Sequence, residues 1–362
     1  MRPRTARASR PGNRGRGAGR LTAPGWCVET RQALEALLRT GWGRRWPVAF
    51  DFDNTIIAGD VGEATLALLV RDRLLRAETL PETLAPRFLS QGRPVSPQLA
   101  EDLTEYYEAF LTPTAHGACD PFPLANGYVW AVEAMQGLTV AQVVRCTQSV
   151  LALAKPGEHA DVVVRPGGAA YPVPVLYAEM VELLARLLAG EFAVWIVSAS
   201  NVWSVRWMVQ HALNPALREH GIRGGLAADR VIGVSTLLMD ERGQLFKDAV
   251  LVKRDAAYAG LDPARLAGLR LTSRLQFPVP VYSGKVACLW DVLGRRPLLA
   301  AGDSPGDLPM LAFARHRLWL ARQNKPRYEE ARTKAAAQTG NRRWLVQATV
   351  GGDLPGFRPG QV

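Results

Sequence analysis

The sequence predicts an α/β fold: a doubly wound, Rossmann-like parallel sheet with an inserted helical cap domain. Short apolar runs that are typical of buried strands alternate with segments whose apolar residues recur at helical spacing. This alternation favours a parallel sheet with helices on both faces. Residues 81–174 lie between the first two predicted strands of the sheet. They contain few strand-like runs, and their pattern predicts mainly helices. The cap is therefore expected as an insertion between two strands of the core.

The expected elements follow from two patterns. Apolar residues at helical spacing mark helices, and short β-branched or aromatic runs between Pro, Gly or polar residues mark strands. The expected helices are 29–39, 63–78, 96–111, 125–135, 140–154, 175–189, 201–213, 284–293, 308–313 and 327–337. The expected strands are 48–50, 192–197, 231–238, 244–246, 277–282, 297–301 and 318–320. Residues 240–243, Asp-Glu-Arg-Gly, are expected to form a hairpin turn.

Length and composition are those of a globular protein. The chain has 362 residues, 48% hydrophobic and 21% charged. This length predicts two domains, or one domain with a large insertion. We expect a disordered basic tail at 1–25, an α/β core at 26–60 and 175–345, and a helical cap at 61–174.

The net charge of +11 is concentrated at the start of the chain. Residues 1–25 contain seven Arg and no acidic residue, which leaves +4 for the remainder. The composition of this tail predicts disorder. It could serve as an RNA-binding or anionic-surface arm or as an organelle transit peptide, but its composition favours a solvated tail without a partner. The folded part is not predicted to bind nucleic acid.

Several classes of protein are not predicted. The tail lacks the apolar region of a secretory signal, and no segment has the roughly 18 continuous apolar residues of a membrane span. The four cysteines, Cys27, Cys119, Cys146 and Cys288, are scattered and form no Cys-x-x-Cys pair. This pattern indicates reduced thiols in a cytoplasmic protein.

Two carboxylates follow the first predicted strand. Asp51 comes directly after Val48–Phe50, and Asp53 lies two residues further on. Buried parallel strands present functional groups at their carboxyl ends. Carboxylates this close repel each other unless a cation or a shared proton compensates, and Mg²⁺ favours such oxygen ligands. Asp-x-Asp alone is also common in turns and helix caps.

Other polar residues are predicted at the same edge of the sheet. Ser198 ends the second strand, Lys285 opens a helix after the third, and Asp303 and Asp307 follow the fourth. Together with Asp51 they suit phosphoryl transfer, which needs a nucleophile and positive charge around the phosphoryl oxygens. Each has a simpler interpretation: Ser198, Asp303 and Asp307 are also residue types that cap helices.

These residues carry a resemblance to a known family. Asp51–Thr55 (Asp-Phe-Asp-Asn-Thr), Ser198 after Trp-Ile-Val, Lys285 after Ser-Gly, and 302–307 (Gly-Asp-Ser-Pro-Gly-Asp) resemble the four ordered motifs of the haloacid dehalogenase superfamily. The phosphoserine phosphatase-like branch, with its phosphorylcholine phosphatase-like members, is the most similar. The resemblance covers about residues 46–325.

The resemblance implies a Mg²⁺-dependent phosphatase that hydrolyses a small phosphomonoester through an aspartyl-phosphate. Asp51 would be the nucleophile and a metal ligand. Asp53 would protonate the leaving alcohol, later activate water, and offer its backbone carbonyl to the metal. Ser198 would bind the phosphoryl group, and Lys285 would neutralise charge on Asp51 and the substrate.

The resemblance also implies metal ligands and substrate contacts. Asp303 would ligate Mg²⁺, and Asp307 would support it directly or through water. Asp60 and Glu63, with Ala199 beside the phosphoryl site, would contact the substrate, which could bear an amine, as in phosphoserine or phosphocholine. The alternative for Asp60 and Glu63 is a helix N-cap and a first-turn acid that stabilise the helix dipole.

Two other functions remain open at this point. One is a phosphotransferase in which an alcohol replaces water as the acceptor, and the other is a non-catalytic module that binds a phosphorylated ligand. The sequence does not predict the natural substrate, the oligomeric state, the purpose of the tail or the role of the long segment between Ser198 and Lys285.

Overall fold

The structure of the chain is a computed structural model. It describes residues 19–90, 92–111, 126–155, 158–248, 263–339, 344–351 and 355–360. Cys119, residues 1–18 of the predicted tail and the first part of the stretch 255–273 lie outside the described residues. Cys27, Cys146 and Cys288 are free, buried thiols, as the sequence predicts.

A seven-stranded sheet forms the core. Its strands, from edge to edge, are Gly356–Arg358, Trp344–Val350, His316–Arg322, Leu299–Gly302, Pro47–Phe50, Ala193–Asn201 and Val231–Val234. All neighbours are parallel except the first pair, which is antiparallel. The predicted α/β fold with a parallel, doubly wound sheet is confirmed.

The helices lie on both faces of this sheet and in the insertion. They are Val28–Gly41, Val61–Arg71, Leu103–Leu111, Gly127–Glu133, Val140–Ala152, Ala178–Ala189, Val202–Met208, Asn214–Glu219, Pro263–Gly268, Ser283–Leu293, Leu308–Phe313 and Pro326–Gln338. Among the described helices, none combines the length and the apolar character that crossing a membrane requires.

The strand Pro47–Phe50, called here the central strand, is buried on both faces. Successive side chains of a strand point to opposite faces. Val48 and Phe50 accordingly pack in the larger core cluster, and Ala49 packs in a smaller one with Leu289 and Met310. Because both faces are covered by helices, the strand is apolar without alternation, which is the pattern that identified it in the sequence.

Residues 61–174, called here the insertion, are joined to the core by two short strands. Ile57–Ala58 pairs antiparallel with Val175–Leu176, and these two are called the linker strands. The insertion is mainly helical. It also contains two hairpins that the sequence reading did not predict, Phe88–Ser90 with Arg93–Val95 and Asp161–Val163 with Ala170–Pro172.

One predicted strand is wrong. Residues 277–282 form no strand, because Pro278 and Pro280 cannot donate to a ladder. The apolar residues Val279 and Val281, which suggested a strand, are buried although they pair with no described strand. The nearby strand is Arg270–Leu275, which lies in a separate three-stranded sheet.

This second sheet also divides another predicted strand. Residues 231–238 form two strands in two sheets, Val231–Val234 in the core and Thr236–Met239 in the second sheet. The predicted turn at 240–243 is confirmed, since the Gly243 N–H donates to the Asp240 carbonyl and the hairpin pairs Thr236–Met239 with Leu245–Lys247.

The second sheet contacts the insertion. The N–H groups of Gly137 and Val140 donate to the carbonyls of Leu271 and Leu269, and the Leu271 N–H donates to the Leu138 carbonyl. Part of the long segment between Ser198 and Lys285 is therefore bound to the insertion by backbone hydrogen bonds.

The predicted tail extends too far. Residues 19–25 are packed on the core, with Leu21 only 1% exposed. The backbone N–H and the hydroxyl of Thr22 donate to Glu182 at 2.6 and 2.7 Å. Gln347 accepts from the Cys27 N–H at 2.8 Å and donates to the Gly25 carbonyl at 3.0 Å. Because the tail is polar in composition, the sequence did not predict that these few residues pack on the core.

We expect Leu21→Ala to lower the free energy of unfolding by about 2–4 kcal/mol, because it removes a fully buried side chain and leaves a cavity. Leu89→Ala is the matched control, since Leu89 is 61% exposed and should change stability by less than about 0.5 kcal/mol. Urea unfolding followed by circular dichroism measures both. Equal stabilities for the two variants would contradict the packing of residues 19–25.

Candidate active site

The predicted site residues meet at the carboxyl edge of the sheet. The central strand pairs with Leu299–Gly302 on one side and with Ala193–Asn201 on the other. Asp51 and Asp303 therefore follow neighbouring parallel strands, and Ser198 lies near the end of the third. All three side chains are buried.

Lys285 joins two of the carboxylates. Its Nζ lies 2.6 Å from Asp51 Oδ1 and 2.6 Å from Asp307 Oδ1, and the side chain is 2% exposed. Lys285 lies in the first turn of Ser283–Leu293. Gly284 is needed there, because a Cβ at this position would collide with the Val279 carbonyl oxygen. The Ser-Gly-Lys spacing thus reflects how closely the helix approaches the preceding backbone.

Asp307 closes the loop after its strand. Its Oδ2 accepts hydrogen bonds from the N–H groups of Asp303 and Ser304 at 3.2 and 3.1 Å, and from the Ser304 hydroxyl at 2.9 Å. Gly302 allows this closure, since a Cβ would lie 2.5 Å from the Asp307 Cβ. Asp307 thereby positions both the loop and, through its other oxygen, Lys285.

Three buried carboxylates form a group that could hold a cation. Asp51, Asp303 and Asp307, called here the carboxylate cluster, each offer one oxygen within 4.8 Å of the others. Two cations, Lys285 and Arg322, contact the cluster, which leaves one net negative charge when all groups are ionised. A buried, oxygen-only set with excess negative charge suits a hard divalent cation such as Mg²⁺.

The side chain of Asp53 is not part of the cluster. Its Oδ1 accepts from the Val61 N–H at 2.8 Å, and its Oδ2 accepts from the hydroxyls of Ser198 and Ser200, both at 2.9 Å. Ser198 does not cap the following helix, because Asn201 does so through its side chain. The simpler interpretation of Ser198 as a helix cap is therefore wrong.

Asp60 and Glu63 lie beside Asp53 at the start of the insertion. Asp60 caps the helix Val61–Arg71 by accepting from the Glu63 N–H at 2.9 Å, and it lies 3.2 Å from the Ser200 hydroxyl. Glu63 accepts from the Tyr107 hydroxyl at 3.1 Å. The helix-cap interpretation of Asp60 thus applies, and it leaves the substrate-binding prediction open.

A small cavity lies where these acids meet the core strand Ala193–Asn201. It has a volume of about 10 Å³, and its lining includes Asp60, Glu63, Ala199, Ser200 and Tyr128. A cavity of this size holds about one water molecule. We call it the inner cavity.

Burial raises the pKa of several of these carboxyl groups. The pKa of Asp51 rises to about 8, because burial and the nearby Asp307 outweigh the attraction of Lys285. The pKa of Asp53 rises to about 7 through burial and the repulsion of Asp60. Burial likewise raises the pKa of Asp60 and of Glu63 to about 7. A carboxyl group with a pKa near 7 can both donate and accept a proton at neutral pH.

Sequence reasoning missed two residues of this site. Ser200 lies two residues after Ser198 on the same strand, so the alternation of side chains could have found it. Arg322 donates from Nη1 to Asp303 Oδ2 at 3.1 Å. Arg322 ends the strand His316–Arg322, whereas the strand predicted from the sequence ends two residues earlier, at residue 320.

We expect the metal-free chain to become less stable as the pH rises from about 5 to about 8. The unfolded chain releases these carboxyl protons near pH 4 and the folded chain near pH 7 to 8, so the folded state holds more protons in that window and the unfolding free energy falls. In Asp53→Asn, the decrease in unfolding free energy between pH 5 and pH 8 should be smaller by about 1–3 kcal/mol. Chemical unfolding at several pH values, in the presence of a chelator, measures this decrease.

The control for that experiment is Asp72→Asn, because Asp72 is exposed at the end of a helix. Its pH dependence should match that of the unchanged chain. A stability that rises over this window would contradict the raised pKa values.

Comparisons with known proteins identify a shared fold. No model of a protein family and no curated protein matches the chain. A conserved protein of unknown function from Anaerococcus prevotii DSM 20548 is similar in structure, with a TM-score of 0.61 and 18% identity over 94% of this chain and 97% of that one. A phosphoserine phosphohydrolase-like protein from Francisella tularensis subsp. tularensis SCHU S4 has a TM-score of 0.38 and 12% identity, over 76% of this chain and 87% of that one. The second TM-score is too low to indicate a common fold.

Proposed function

We propose that the chain is a Mg²⁺-dependent phosphatase of the haloacid dehalogenase superfamily that hydrolyses a small phosphomonoester. The observation that carries the proposal is the contact of Lys285 with both Asp51 and Asp307, next to Asp303, in a buried site. Three separate pieces of chain supply a nucleophile, a fixed cation and a set of cation ligands. Phosphoryl transfer needs these groups together.

The reaction proceeds in two steps. An oxygen of Asp51 attacks phosphorus, the bond to the ester oxygen breaks, and Asp53 gives its proton to the departing alcohol. Asp53 then takes a proton from water, whose oxygen attacks the phosphorus of the aspartyl-phosphate and releases inorganic phosphate and the carboxylate of Asp51. The hydroxyls of Ser198 and Ser200 hold the Asp53 carboxyl group throughout.

A cation completes the charge balance. Asp51 and Asp303 would hold Mg²⁺, with support from Asp307 and the backbone carbonyl of Asp53. Mg²⁺ supplies positive charge that favours ionised Asp51 and offsets the charge of a phosphate dianion. Lys285 donates to Asp51 and reduces the charge repulsion between its carboxylate and the incoming phosphate.

The insertion acts as a cap. The Val61 N–H donates to Asp53, so the first helix of the insertion is tied to the proton donor. The inner cavity, at about 10 Å³, is too small for a leaving group. Substrate binding therefore requires the insertion to move away from the core, and closure excludes water from the site.

We expect Mg²⁺-dependent hydrolysis of p-nitrophenyl phosphate that a chelator abolishes. Asp51→Asn should lower kcat by roughly 10³-fold or more, because an amide is a poor nucleophile. Asp72→Asn, which changes an exposed acid, is the control and should keep full activity. Full activity in Asp51→Asn would contradict the assignment of the nucleophile.

The same assay separates the two alternatives. Transfer of phosphate to an added alcohol, in preference to water, would make the protein a phosphotransferase. Saturable binding of phosphate esters with no turnover in the presence of Mg²⁺ would make it a non-catalytic binding module and would contradict the proposal.

The substrate proposed for this site bears an amine, as phosphoserine and phosphocholine do. Asp60 and Glu63 place negative charge on the inner cavity, and Tyr107 and Tyr128 add aromatic surface. Carboxylates and aromatic faces are the groups that hold an ammonium or quaternary ammonium. Asp60 accepts from the Glu63 N–H as a helix cap and lies 3.2 Å from the Ser200 hydroxyl, whereas Glu63 accepts from the Tyr107 hydroxyl at 3.1 Å. Glu63 is therefore the better contact of the two acids.

We expect Glu63→Gln to raise KM for phosphoethanolamine roughly tenfold, since it removes the charge opposite the ammonium. It should leave the KM for p-nitrophenyl phosphate nearly unchanged. Glu78→Gln, at an exposed position on the insertion, is the control. Equal effects on both substrates would show that Glu63 does not select for the amine.

A further inference from the structure

A second and larger cavity lies beside the linker strands, with Ala58 and Val175 in its lining. It has a volume of about 200 Å³ and is called here the outer cavity. Its walls include residues 154–155, 158–160 and 172–173 of the insertion, Ala58 and Val175 of the linker strands, Asn54, and Thr349 near the C-terminal end of its strand. None of the residues assigned above to the substrate lines it.

Arg322 connects this cavity to the carboxylate cluster. Its Nη1 donates to Asp303 at 3.1 Å, and the same side chain lines the outer cavity, where it is 21% exposed. A guanidinium has five N–H donors in one plane. The hydrogen bond to Asp303 uses one of them, so several donors are left for a second acceptor.

The charges of the lining favour an anion. Among the described residues, the lining contains two cations, Arg322 and Lys155, and one acid, Glu158. It also contains His159, which is hydrogen-bonded to Asp161 at 3.0 Å. Glu158 is already paired with Lys155 at 3.3 Å. A cationic ligand would therefore meet repulsion from Arg322 and no unpaired acid among the described residues of the lining. The remaining polar lining, including the amides of Asn54 and Asn324, can donate to an oxyanion.

We propose that the outer cavity binds a small organic oxyanion, a compound with one phosphate or carboxylate group on a short apolar skeleton, through Arg322. The volume suits a compound of a few carbons rather than a larger cofactor. Ala58, Val173 and Val175 provide an apolar wall for the skeleton. Arg322 holds the charged group, as guanidinium groups commonly do with carboxylates and phosphates.

The bound anion and a cation at the cluster support each other. Arg322 repels a cation at Asp303, and an anion in the outer cavity offsets that repulsion. By linkage, the cation then raises the affinity for the anion by the same factor. This coupling rests on the proposed metal site, whereas anion binding by Arg322 does not.

The test is calorimetric titration of the metal-free full chain with inorganic phosphate and with benzoate, in the presence of a chelator. An anion bound at the catalytic edge would not respond to a charge change in the lining of the outer cavity, so the variants below distinguish the two places of binding. No turnover is measured, and the result is therefore independent of the proposed phosphatase activity. Binding of phosphate, benzoate or both identifies which oxyanion the cavity accepts.

Two variants remove the proposed interaction. Asn324→Asp places a negative charge in the lining at an exposed position that tolerates substitution, and Arg322→Gln removes the cation. We expect each to weaken anion binding about tenfold or more. Because Arg322→Gln also leaves Asp303 without its partner and could impair folding, Asn324→Asp is the decisive variant.

Two further variants are controls. Gln338→Glu makes the same change in net charge at an exposed position outside the lining, and Ser198→Ala alters the catalytic edge. Both should bind the anions within about twofold of the unchanged chain. Failure of the unchanged chain to bind either anion would overturn the proposal, as would binding that Ser198→Ala abolishes and Asn324→Asp retains.

Discussion

The contact of one buried lysine with two buried aspartates is the interaction on which the site depends. Lys285 is 2% exposed and lies 2.6 Å from both Asp51 and Asp307. Charges that leave water at this depth are tolerated only when they are paired and hydrogen-bonded. Removing Lys285 would leave the buried Asp51 and Asp307 without their shared cation, so the lysine acts as a structural counter-ion.

The backbone around this contact is shaped to permit it. Gly284 allows the lysine-bearing helix to start against the Val279 carbonyl, and Gly302 allows Asp307 to fold back over the end of its strand. These glycines stand in the motifs because of close packing and not because they contact a ligand. Sequence motifs of this kind record geometric constraints as well as chemical groups.

Much of the core and the site could be predicted from local sequence. Buried strands are apolar without interruption, and a polar residue directly after such a run marks the carboxyl edge, which is how Asp51, Ser198 and Asp303 were found. The strand Trp344–Val350 was missed because its run contains a buried glutamine. Gln347 is tolerated there because it has hydrogen-bond partners on neighbouring segments, which no local pattern reveals.

At the site, the sequence did not predict a residue whose position depends on tertiary contacts. Arg322 ends the strand His316–Arg322, which lies next to Leu299–Gly302, and it donates to Asp303 at the end of that neighbour. Both strands are distant in sequence from the central strand, so no local pattern indicates the contact. The shared fold with a protein of unknown function leaves the chemistry to be argued from the site itself, since one fold supports many activities. For this chain, the residues of the site indicate more about function than the overall fold does.

Gln347 has a further consequence for the chain as a whole. Its amide donates both to the Gly25 carbonyl and to the Arg358 carbonyl, so segments near the two ends of the folded chain are bound to one side chain. Positions 25 and 358, held this close together, could be joined by a short peptide. The connectivity of the protein could thus be rearranged, with new termini opened at a surface turn such as the one at 240–243, while the neighbourhood of every strand in the sheet is preserved.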